Sequence, residues 1–194
     1  MVTTMTKWLQ QYRDTGGGTS LKGDQFQRFL EICWPSVDEL TFSSGMDLKL
    51  SPCFPPSWER RRELEELKAA MRPWQTGRTV SDWWFGYGRG STKMARYRYR
   101  GDEDLKAVIL SLYGDIFLRE PLRQPEGDFI PWLEDLCLFS GGKLFFGSIS
   151  HEGEAYLYPL SDELGEAVSA LGGWEICPWR DERSRTDINA FVWK

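Results

Sequence analysis

Six segments of the chain place apolar residues at or near positions i, i+3, i+4 and i+7, which is the spacing of an amphipathic helix. One face of such a helix is usually buried, so we expect six helices that share a core. We assign to their buried faces, segment by segment, Met5, Trp8, Leu9 and Tyr12; Phe26, Phe29, Leu30 and Cys33; Leu64, Leu67 and Met71; Leu105, Val108, Ile109 and Leu112; Phe129, Trp132, Leu133, Leu136 and Cys137; and Leu164, Ala167, Val168 and Leu171.

Shorter segments between these helices predict strands. We expect hairpins that join residues 40–42 to 46–50, 80–87 to 94–100, and 143–149 to 155–158, because turn-forming residues separate each pair. Single strands are predicted at residues 115–119, 174–177 and 188–193. Hairpins interrupted by helices are typical of an α+β fold, here a mixed, largely antiparallel sheet packed against about six helices.

The length of 194 residues suits a single domain that spans residues 1–194. The proline-rich stretch at residues 51–57 leaves a second organisation open. In that alternative, a helical N-terminal subdomain (residues 1–56) precedes a sheet-bearing remainder (residues 57–194).

Composition narrows the classes of partner. The net charge is −5 and the isoelectric point is about 5.1, so the chain lacks the global basic field that nucleic acid attracts. We therefore do not expect nucleic acid as a partner. Ten Trp, eleven Phe and seven Tyr form a heavy aromatic load, and large aromatic side chains dominate the energetics of cores and interfaces alike.

The chain offers little for metal or cofactor chemistry. Its four cysteines, at positions 33, 53, 137 and 177, include no close pair, and its one histidine completes no metal-ligand spacing. The glycine-rich stretch at residues 86–91 lacks the Lys-Ser/Thr of a phosphate-binding loop, and a hairpin turn explains it better. We predict no cofactor and no metal site. Without a signal-like N-terminus or a long apolar stretch, we expect a cytoplasmic protein without membrane contact.

Residues 94–100 alternate most regularly. On a strand, Arg96, Arg98 and Arg100 share one face, and together with Arg89 and Lys93 they make a local basic surface in an acidic chain. This surface suits phosphate or acidic side chains. The competing interpretation is a solvated sheet face neutralised by acidic residues 102–104. The tyrosines of the segment point to the other face, which weakens the case for a nucleic-acid platform.

Three further positions are candidates for binding or chemistry. His151 lies beside Glu152 at a predicted hairpin tip, where it could act as a general base with Ser150 or Cys137. Neighbouring strand residues point to opposite faces, so a turn histidine near solvent is the favoured interpretation. Trp84 belongs to a run of adjacent aromatics, of which at least one leaves the core unless both sheet faces are covered.

The segment 129–133 followed by 144–150 reads as a helix-then-strand unit. This unit resembles those of small bacterial immunity proteins from polymorphic or secreted toxin systems. The size, acidity and aromatic content of the chain are similar to that class as well. The resemblance implies a cytoplasmic protein that binds and blocks one toxin.

We therefore predict a non-enzymatic protein-binding module, an immunity protein whose protein partner is a cognate toxin. The predicted partner-binding residues are Arg89, Arg96, Arg98, Arg100, Trp84, Asp102, Glu103, His151 and Glu152, and no catalytic residue is assigned. The alternative is a small-ligand-binding or enzymatic domain that uses His151 or the Arg96/Arg98/Arg100 face. A third is a nucleic-acid-associated accessory protein.

Overall fold

The computed structural model describes residues 8–13, 21–44, 58–81, 83–84, 87–88, 94–118, 133–150 and 152–178. These residues form an α+β fold with ten strands and four α-helices. The strands are β1 (Trp8–Arg13), β2 (Glu39–Ser44), β3 (Gln75–Ser81), β4 (Trp83–Trp84), β5 (Tyr87–Gly88), β6 (Met94–Arg100), β7 (Glu134–Ser140), β8 (Lys143–Ile149), β9 (Glu154–Leu157) and β10 (Trp174–Pro178). The helices are α1 (Asp24–Cys33), α2 (Trp58–Met71), α3 (Glu103–Leu112) and α4 (Asp162–Ser169).

Eight strands form one sheet in the order β10-β1-β9-β8-β7-β2-β6-β3, while β4 and β5 pair separately. Every pairing in the eight-stranded sheet is antiparallel. The described part of residues 1–56 contributes β1 and β2 to this sheet. A boundary at residue 56 therefore separates strands that hydrogen-bond within the same sheet.

The apolar faces of the four helices and one face of the sheet belong to a single buried cluster. Phe29 of α1 contacts Phe146 of β8, with ring centroids 4.8 Å apart, and stacks on Trp174 of β10 at 6.1 Å. At the other end of the sheet, the ammonium group of Lys68 on α2 lies 5.3 Å from the ring centroid of Tyr97 on β6. The helices thus lie on the side of the sheet that carries Tyr97 and Phe146.

The opposite face of the central strands is also buried. In β2, Leu40 and Phe42 join the helix-side cluster, whereas Thr41 and Ser43 alternate with them and are fully buried as well. In an antiparallel sheet with one solvated face, such alternate positions would be exposed. Both faces of the sheet centre therefore lie away from water, and polar side chains occupy the second face.

Four of the predicted helices are confirmed. The helices around Phe29, Leu67, Ile109 and Val168 are α1 to α4, and each named residue lies in the core or at its edge. The pairing of β8 with β9 confirms one of the three predicted hairpins. The strand that pairs with β6 is β3 at residues 75–81 and not residues 80–87, because residues 83–84 pair with residues 87–88 instead. No helix in the described ranges combines the length and apolarity needed to cross a membrane.

The expectation of about six helices is wrong, because the described residues contain four. Trp8 to Arg13 form β1, which pairs with β9 on one side and β10 on the other. The segment around Leu136 is β7, whose residues Glu134 to Phe139 are all buried. A continuous apolar run fits a helix and a strand covered on both faces equally well, so the apolar pattern could not separate the two.

Two strand predictions also fail. β2 pairs with β6 along one edge and β7 along the other, so it has no edge left for a hairpin with residues 46–50, which lie outside the described residues. At residues 115–118 there is an isolated bridge between Asp115 and Lys22 and then a turn, with Leu118 at a φ of 59°. Residues 188–193 lie outside the described part of the chain.

Candidate partner-binding surface

The alternating arginines of β6 lie on one face of the sheet, as their spacing predicts. Arg96 is opposite Ser43, Arg98 is opposite Thr41, and Arg100 is opposite Glu39 of the neighbouring strand β2. Their exposure differs sharply, however, because Arg96 is 2% exposed, Arg98 is half-buried and Arg100 is exposed. The three arginines therefore differ in what they can offer a partner.

Arg98 is held by a carboxylate of the adjacent strand. Its Nε donates to Oε1 of Glu39 at 2.8 Å and its Nη2 donates to Oε2 at 2.7 Å, so the guanidinium and the carboxylate meet in a bidentate pair. About a fifth of each side chain remains exposed. Such planar pairing is strong for an ion pair and fixes the orientation of both groups. The ion pair therefore links the side chains of β2 and β6.

Arg96 lies inside the second, polar face of the sheet. A buried guanidinium requires compensation from nearby polar or charged groups, because its transfer out of water is costly. Asp135 and Arg96 both act electrostatically on the thiol of Cys137, which places a carboxylate and a guanidinium near one buried sulfur. Arg96 is therefore part of a buried polar cluster, which also includes Asp135 and Ser43 on neighbouring strands.

Two hydrogen bonds join Asp135 of β7 to Ser150, the residue that follows β8. The backbone N–H of Asp135 donates to the hydroxyl of Ser150 at 2.8 Å, and the backbone N–H of Ser150 donates to Oδ1 of Asp135 at 2.8 Å. Both residues are buried, and Asp135 has a φ of 58°, a conformation uncommon outside glycine but best tolerated by Asn and Asp. Ser150, one of the two predicted nucleophile partners for His151, thus has a structural role.

The two cysteines of the described core are shielded from solvent. Burial raises the pKa of Cys33 far above its ordinary value. Burial also raises the pKa of Cys137, and Asp135 raises it further, against smaller lowering effects led by Arg96. A thiol reacts as the thiolate, so both groups are held in their unreactive form at neutral pH.

The acidic candidates at the start of α3 cap that helix. Oδ1 of Asp102 accepts the backbone N–H of Asp104 at 2.9 Å, and Glu103 pairs with Lys106 one turn on, at 2.6 Å between Oε2 and Nζ. Glu152 lies exposed in the turn between β8 and β9, where its backbone N–H donates to the carbonyl of Ile149. Asp102 and Glu103 are thus engaged within the fold, and Glu152 presents its side chain at the surface.

Arg89 and His151 lie outside the described residues, as does the side chain of Trp84, whose backbone belongs to β4. The described members of the predicted partner-binding set therefore fall into two groups. Arg96, Arg98 and Arg100 belong to β6, whereas Asp102 and Glu103 begin α3. Glu152 lies apart from both, in the turn that precedes β9.

The most one-sided charge distribution occurs in residues 152–178, which the predicted set barely touches. This segment, which we call the acidic segment, contains six carboxylate side chains and no Lys or Arg. Glu154 is paired with Arg13 of β1 at 2.9 Å. The other five are exposed, and they are Glu152, Asp162, Glu163, Glu166 and Glu175.

The two exposed large hydrophobic residues of the described chain both lie on sheet edges. Val80 on β3 is 40% exposed and Ile176 on β10 is 58% exposed. Scattered surface hydrophobics are ordinary, but edge strands present backbone donors and acceptors that can pair with another chain.

Sequence reasoning missed Glu39 and the acidic segment. Glu39 could not be found as the partner of Arg98, because the two are 59 positions apart and meet through the pairing of β2 with β6. The acidic segment was detectable, since a 27-residue stretch without a basic residue is visible in the sequence.

Among the described residues, no three His, Cys, Asp or Glu side chains come together as they would around a metal ion. No protein-family model matches the chain, and no match is found among curated proteins or solved structures.

Proposed function

We propose that this protein is a non-enzymatic protein-binding module and that it acts as a cytoplasmic immunity protein, which binds and neutralises a cognate toxin. The observation that carries the proposal is the division of charge in the described structure. Arg96 is buried in the sheet and Arg98 is paired with Glu39, whereas five of the six carboxylates of the acidic segment face solvent.

Two features support a binding role over a catalytic one. Both described core thiols are held as unreactive thiols, and Ser150 is engaged with Asp135. Exposed carboxylates create a negative potential, which speeds association with a basic partner and favours it over acidic ones. An inhibitor that covers a basic active site or substrate path would use such a surface.

The test is co-expression with the toxin-like protein encoded beside this chain's gene. We expect that the neighbour inhibits growth when expressed alone, that co-expression restores growth, and that the two proteins purify as a stoichiometric complex. As a control, the variant Glu65→Gln removes a surface charge on α2 that is already paired with Lys68, so it should protect as well as the unmodified protein. A neighbour that stays fully toxic, or that forms no complex, contradicts the proposal.

A small-anion-binding role is the second candidate, and one observation favours it. The hydroxyl of Ser43 is fully buried, makes no hydrogen bond and lies on the strand position opposite Arg96. If this is a ligand site, inorganic phosphate or sulfate at millimolar concentration should raise the melting temperature, and Ser43→Ala should abolish the rise. An unchanged melting temperature with both anions rules this candidate out.

A further inference from the structure

We draw no further inference here: the strongest candidate, the buried polar cluster of Arg96, Asp135 and Ser43 on the second face of the sheet, belongs to the candidate small-anion site already described.

Discussion

The two ends of the sheet use charged residues in opposite ways. At the end formed by β2, β6 and α2, Arg98 is paired with Glu39, and Lys68 is paired with Glu65 at 2.7 Å. At the other end, α4 and β10 carry exposed carboxylates, and the acidic segment contains no basic residue. Paired charges align strands and helices, whereas exposed carboxylates contribute little to stability.

The interior differs between the two ends as well. Beneath α1 and α4, the aromatic rings of Phe29, Phe146, Tyr12 and Trp174 contact one another. Stability at the acidic end therefore comes from aromatic packing, which the surface charges do not disturb. The predictions below test this separation of stability from charge, beginning with the largest expected effect.

Phe29→Ala should lower the free energy of unfolding by about 3–5 kcal/mol, because it removes a fully buried ring and leaves a cavity between α1 and the rings of Phe146 and Trp174. Urea denaturation followed by circular dichroism measures the change. Phe29→Leu, which keeps much of the volume, should cost considerably less. A loss below about 1 kcal/mol for Phe29→Ala would show that the aromatic cluster does not stabilise the acidic end.

Arg98→Ala should lower the free energy of unfolding by about 1–2 kcal/mol, because a partly buried bidentate pair is lost and Glu39 is left without its guanidinium. A double-mutant cycle with Glu39→Ala isolates the interaction. We expect the double variant to be clearly more stable than the sum of the two single losses predicts. Strict additivity would mean that the pair contributes nothing beyond its separate side chains.

Ser161→Ala should cost about 1 kcal/mol, because the Ser161 hydroxyl accepts the backbone N–H of Leu164 at the start of α4. Ser111→Ala is the control, since that hydroxyl donates to a carbonyl within the exposed face of α3. The backbone N–H of Glu163 and the Ser161 hydroxyl hold the pKa of the Glu163 carboxyl below its ordinary value, so the variant should also raise that pKa.

The lowered pKa of Glu163 also makes the stability of the fold depend on pH. A carboxyl group whose pKa is lower in the folded state stabilises the fold above its unfolded pKa, and the contribution is lost as the pH falls through the folded value. Proton titration of the Glu163 side chain by NMR checks the direction. A titration curve that is the same in Ser161→Ala and the unmodified protein would exclude the hydroxyl as a cause.

How much the sequence could predict depended on how local the determining interactions are. Helices α2, α3 and α4 were located by apolar spacing, and the residues that cap two of them, Asp102 and Ser161, act within one helical turn. The strands β1 and β7 were missed because their state depends on pairing with distant strands. Trp8 to Arg13 become a strand through contacts with residues 154–157 and 174–178.

The candidate surface likewise combines features set by local sequence with features set by residues far along the chain. The shared face of Arg96, Arg98 and Arg100 follows from strand alternation and was predicted correctly, whereas the burial of Arg96 and the pairing of Arg98 depend on neighbours far along the chain. The acidic segment can be recognised in the sequence alone, but its relevance to binding becomes clear only from the structure. Its position beside a sheet edge with an exposed isoleucine emerges from the order of the strands.

The double change Glu166→Gln and Glu175→Gln should alter the free energy of unfolding by less than about 0.5 kcal/mol, since both side chains are exposed. The same change should slow association with the basic partner, and it should reduce the sensitivity of the association rate to salt, because long-range attraction acts mainly on that rate. Stopped-flow mixing at low and high salt measures both. Glu65→Gln and Glu66→Gln on α2 remove an equal charge from the other end of the sheet, where each carboxylate already faces a basic neighbour. If both double variants slow association equally, net charge alone controls the encounter and the contrast between the two ends has no part in recognition.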